Sequence, residues 1–136
     1  MSTRIAVAVL VAIASAALAC GVAEGPREKL KHSAFNFNEG LRWGRYQEVL
    51  PRVDPETREH FMELHQGWGK EIRISNAEML QTIIDDKNEK AAISVKFTWY
   101  RVDEMVERET ITVQHWERRE SEWIMVAEEY QSGTPF

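Results

Sequence analysis

Residues 91–100, AAISVKFTWY, decide the fold. Ala91, Ile93, Val95, Phe97 and Trp99 alternate with Ser94, Lys96, Thr98 and Tyr100, a period of two that puts one set in a core and the other in water. A strand with one wet face belongs to an antiparallel sheet. Backward from it, DDKNE (85–89) supplies a turn, and the alternation returns as Ile72 and Ile74. The phase slips at Ser75 and Asn76, which reads as a β-bulge, and resumes as Ala77, Met79, Gln81 and Ile83. Forward from it, a turn at DEM (103–105) leads to a third strand. If Ile111, Val113 and His115 share the buried face of the strand before, the register pairs Trp99 with Glu109, Phe97 with Ile111, Val95 with Val113 and Ile93 with His115. Thr110, Thr112 and Gln114 then point outward. The last strand, EWIMVAEEY (122–130), is apolar at neighbouring positions, so either Trp123 and Met125 or Ile124 and Val126 face inward.

Ahead of the strands the period is helical. Leu30, Ala34, Phe37 and Leu41 recur at spacings of four, three and four, with Phe35, Trp43 and Tyr46 on the other side. A second helix starts in DPETREHF (54–61), where Asp54 can cap and Pro55 fits the first turn; its stripe is Phe61, Leu64, His65 and Trp68, and Gly67 and Gly69 end it. The whole is an α+β domain in which N-terminal helices pack on a curved antiparallel sheet of about four strands. That element order, together with the hairpin WERRESEWIMV (116–126), resembles the NTF2-like superfamily, which includes nuclear transport factor 2, ketosteroid isomerases and SnoaL-type cyclases. The resemblance spans roughly residues 28–130 and implies a cone-shaped fold without implying one activity.

The N-terminus carries an address. Met1–Arg4 is followed by an apolar run, Ile5–Ala19, interrupted only by Ser15, the layout of a secretory signal peptide over residues 1–19. Cys20 is the only cysteine and has no internal disulfide partner. Ala17, Leu18, Ala19 and Cys20 resemble the lipobox of bacterial lipoproteins, which implies lipidation of Cys20 and a membrane as partner. Gly21, rather than an aspartate, resembles the signal for passage to the outer membrane, facing the periplasm. The expected organisation is a tether over 20–26, the NTF2-like domain over 27–131 and a C-terminal tail over 132–136. The alternative is an ordinary signal peptide cut near Ala19, giving a secreted domain with a free thiol.

A net charge of −5 argues against nucleic acid as a partner. The expected function is a non-catalytic binding or interaction module of the envelope, with a small apolar ligand or an envelope protein as partner, because the inward strand positions hold no aspartate to serve as the base of the isomerases. The rival is a small isomerase-like or cyclase-like enzyme with Glu109, set against Trp99, as general base and His65 or His115 assisting. Phe35, Trp43, Tyr46, Phe97 and Trp99 either line a cavity for a small apolar ligand or pack the core. A second copy of the chain is a further candidate partner, since the sheet's open face carries Tyr100 and Trp116 among threonines and the resemblance implies pairing there. His60 and His65 point about 140° apart on a helix, so no metal site is expected, and no cofactor signature is present.

Overall fold

The computed structural model describes residues 21–136; the expected signal peptide and Cys20 lie outside the described residues. Helix α1, Pro26–Arg42, begins with proline in its first turn and buries Leu30, Ala34, Phe37 and Leu41. Gly44, at φ +67°, turns the chain away from it. A short helix α2, Tyr46–Val49, continues as a 3₁₀ turn, Leu50–Arg52, and α3 spans Arg58–Leu64. Helix α3 starts later than its sequence suggests. Asp54 is engaged by Arg119 at 2.6 Å, and Thr57 stands at the cap position without a side-chain capping bond. Four strands follow, β1 (Ile72–Ile84), β2 (Lys90–Arg101), β3 (Glu107–Arg119) and β4 (Glu122–Gly133), each hydrogen-bonded antiparallel to the next. The architecture is α+β, helices on a curved meander.

On β2 the expected alternation holds: Ala91, Ile93, Val95, Phe97 and Trp99 are all buried. On β1 the bulge falls between Ile74 and Asn76, and a second lies between Met79 and Gln81. Beyond that second bulge the phase is reversed, so Ile84 packs on the core and Ile83 is 60% exposed, contrary to the alternation read from sequence.

The β2–β3 register is one residue from the expected one. Trp99 stands opposite Arg108, Phe97 opposite Thr110, Val95 opposite Thr112 and Ile93 opposite Gln114. A slip of one residue inverts every side chain of the strand. Thr110, Thr112, Gln114 and Trp116 therefore face the core, while Ile111, Val113 and His115 lie half-buried on the outer surface and Glu109 is exposed. Two physical reasons favour this register. Trp116, expected on the open face, instead buries the largest apolar side chain of β3, with its ring edge-on to Phe37 at 5.1 Å. The polar residues carried inward with it all find hydrogen-bond partners, so their burial is offset.

On β4 the inward residues are Trp123 and Met125. The indole N–H of Trp123 donates to the carbonyl of Pro26 at 2.9 Å and pins the start of α1 to the sheet. A bulge then leaves Val126 unpaired between Met125, opposite Trp116, and Ala127, opposite His115. The hydroxyl of Thr57 takes the Val126 carbonyl at 2.9 Å.

Candidate functional site

The bulge at Val126 creates the site. Simple alternation from Trp123 and Met125 would send Ala127 and Glu129 inward; the extra residue advances the phase and places Glu128 opposite inward-facing Gln114. Its side chain is 4% exposed, and that of His65, from the end of α3, is 1% exposed. His65 Nε2 and Glu128 Oε1 are 2.7 Å apart. The oxygen lies off the ring N–H axis, so the contact is held by charge rather than by an aligned hydrogen bond.

The surroundings hold both members of the pair in place. His65 Nδ1–H donates to the Phe61 carbonyl at 2.7 Å, one turn back along α3. Nδ1 is thus engaged in a hydrogen bond and Nε2 in the contact with the carboxylate. The imidazole is wedged between Phe61, centroid distance 4.1 Å, and the edge of Trp68, at 4.5 Å. Glu128 Oε2 accepts from the Gln114 amide at 2.9 Å and from the Thr112 hydroxyl at 3.4 Å. Gln114 and Asn38 exchange amide hydrogen bonds at 2.8 and 3.2 Å, and Asn38 donates on to the Ala34 carbonyl at 2.9 Å. One polar chain therefore crosses the core from α1 to α3. Burial pushes the Glu128 carboxyl up, but the adjacent His65 charge and the Gln114 and Thr112 donors outweigh it and hold the net value below the ordinary carboxylate range.

His65, Thr112 and Glu128 form the polar floor of a cavity of about 220 Å³ whose walls are Leu64, Tyr130, Pro135 and Phe136. An apolar cavity of about 150 Å³ admits benzene, so this one accommodates a single ring with a substituent. A carboxylate and an imidazole on one floor are the two group types that carry protons to and from a ligand oxygen in general acid–base chemistry.

Of the residues singled out in the sequence, His65 alone of the candidate acid–base group is in this cavity. Glu109 is exposed, with Arg108 rather than Glu109 set against Trp99, its guanidinium 5.5 Å from the ring centroid. His115 sits on the outer surface, 3.5 Å from Glu129. Phe97 and Trp99 are buried and face the ring of Phe136 at centroid distances of 6.0 and 5.5 Å. Tyr46 donates its hydroxyl to the His65 carbonyl at 2.9 Å, behind the site, and burial pushes its pKa up to about 12. Phe35 and Trp43, 55% and 59% exposed, lie away from it. Among the described residues there is no cluster of three or more potential metal ligands and no helix long and apolar enough to cross a membrane. Glu128 escaped sequence reasoning because its inward position depends on the bulge; the adjacent pair Glu128–Glu129 in a strand that is otherwise half apolar was the available signal.

No protein-family model and no curated protein matches the sequence. Solved structures do resemble the fold. A candidate scytalone dehydratase from Novosphingobium aromaticivorans superposes with a TM-score of 0.61 at 11% identity, over 81% of this chain and 87% of that one. A SEC-C motif containing protein from Rhodopseudomonas palustris gives 0.61 at 12% identity, over 74% and 77%. A protein of unknown function with a cystatin-like fold from Nostoc punctiforme gives 0.56 at 11%, over 80% and 91%. These likenesses establish the fold, the NTF2-like arrangement of helices on a curved sheet.

Proposed function

We propose that this domain binds a small, largely apolar molecule bearing one oxygen function and transfers protons to or from it through His65 and Glu128. The observation that carries the reading is the buried pair at 2.7 Å on the floor of an otherwise apolar cavity. A buried ion pair is weak as a stabilising device, because desolvation offsets its attraction, and its position at a cavity is where perturbed acid–base groups serve chemistry. The similarity to a candidate dehydratase is consistent with elimination as the reaction class and says no more than that. A non-catalytic binding role is the second reading. It is favoured by the engagement of Glu128, whose oxygens already face His65, Gln114 and Thr112.

One assay separates the two. In 5-nitrobenzisoxazole a base removes the ring C–H proton as the N–O bond breaks, giving a coloured cyanophenolate. Proton transfer by the pair accelerates this reaction about 10²-fold over buffer, and Glu128→Gln and His65→Gln each lose most of the gain. Saturable binding of the probe with no acceleration by the wild type overturns catalysis and leaves the binding module.

We further propose that the domain works at the bacterial envelope, tethered through lipidated Cys20. Residues 21–25, which are exposed and belong to no helix or strand, support a spacer between anchor and domain. Pairing with a second copy through the outer sheet face is part of the same proposal, supported by the apolar Ile111 and Val113 on that surface.

A further inference from the structure

The cavity over His65 and Glu128 is separated from a second, more polar cleft of about 400 Å³ beside Lys70 and Glu71, and the two spaces share only Leu64 and Phe136 as lining residues. Phe136 reaches this position because the chain folds back after β4. Gly133 has φ +89°, and a Cβ there would collide with the carbonyl oxygen of Glu109, so the reversal requires glycine. Thr134 N–H then donates to that same carbonyl at 2.8 Å. The Thr110 hydroxyl donates to the Thr134 carbonyl while accepting from the Trp99 indole N–H at 2.8 Å. Residue 134 is thus anchored. Beyond it, the Phe136 ring stands 4.7 Å from Trp68, 5.5 Å from Trp99 and 6.0 Å from Phe97 between centroids, and the residue remains 39% exposed.

A fixed backbone anchor followed by a part-exposed ring among aromatic neighbours has the anatomy of a gate. We infer that Phe136 is the movable partition between the outer cleft and the proton-transfer cavity, and that the ligand admitted is a planar ring carrying one hydroxyl or carbonyl. This rests on the reading of the cavity as a ligand site. The ligand class follows from the space and its lining: the ring lies among Leu64, Tyr130 and Phe136, and its oxygen meets the polar floor. A volume of about 220 Å³ is small beside the 300–1,000 Å³ usual for ligand pockets, and displacement of Phe136, which lines both spaces, would join it to the outer cleft. Neighbouring aromatic faces of Trp68, Phe97 and Trp99 then become available for stacking.

The full chain is mixed with 2-naphthol in a stopped-flow instrument and followed by tryptophan fluorescence, with Trp68 and Trp99 as reporters beside the gate. If a closed state limits entry, Phe136→Ala raises the association rate constant about tenfold, and Phe136→Trp lowers it below the wild type. Opposite shifts by the two variants cannot arise from loss of folding in either. Binding at one common rate in all three proteins, or slower association with Phe136→Ala, overturns the gate and leaves the cavity reading intact. No binding of 2-naphthol to any of them refutes the cavity reading, and the gate with it.

Discussion

Replacing Glu128 by Gln tests whether the fold holds this buried carboxyl in its charged form, through the pH dependence of stability. The side chain keeps its shape and loses its charge. In the wild type the Glu128 carboxyl is held below its unfolded value of about 4.3, so its contribution is fully present above that pH and is lost as pH falls through the folded value. Between pH 5 and 7 this contribution is constant. In Glu128→Gln no carboxyl titrates at this position, so this acid limb of the profile is missing. Below about pH 4.3 the wild type should therefore lose stability faster than the variant, by up to about 1.4 kcal/mol per pH unit. Urea unfolding at about pH 7, 5 and 3 measures it, and the difference between the two proteins cancels the other carboxylates. Parallel profiles between about pH 5 and pH 3 would show that the folded state does not hold the Glu128 carboxyl below its ordinary range.

Two further outcomes are expected. Gln114→Leu deprives both Asn38 and Glu128 of a buried partner, and should cost about 3 kcal/mol in urea unfolding while abolishing acceleration of 5-nitrobenzisoxazole ring opening; a loss below about 0.5 kcal/mol would mean that the chain of amides adds no stability. Cys20→Ser should move the protein made in a bacterial host from the membrane fraction to the soluble fraction or leave uncleaved precursor, with no lipid mass on the product; a wild type with a free Cys20 thiol would remove the anchor.

Much of the fold was readable because burial on β2 is one-sided and uninterrupted: five apolar residues alternate from Ala91 to Trp99 without a polar exception, and the stripe Leu30, Ala34, Phe37 and Leu41 is equally plain. The expectation failed where the core itself is polar. Hydrophobic pattern alone sends Ile111 and Val113 inward, yet a buried hydroxyl or amide costs little once it is bonded, and Trp116 in phase with Gln114 tips the strand the other way. The parity of Trp116 was visible in the sequence. The partners that make Gln114 affordable inside, Asn38 at a separation of 76 residues and Glu128, were not.

The same limit explains why half of the acid–base pair was found and half missed. His65 caps the end of α3 in phase with Phe61, so helical periodicity aims it at the sheet with no knowledge of the other strands. Glu128 is aimed by an irregularity, and a bulge is a property of two strands at once. Its position follows from what each side of the hairpin must bury: Trp116 fixes Met125 opposite it near the turn, and the polar network fixes Glu128 opposite Gln114. From Trp116 to Gln114 is two residues, and from Met125 to Glu128 is three. One residue must be left over, and Val126 is that residue, with its carbonyl taken by Thr57 from the connection that leads into α3. The contact that absorbs the bulge thus also helps to position the helix that carries His65, so the two halves of the pair are placed by one local arrangement.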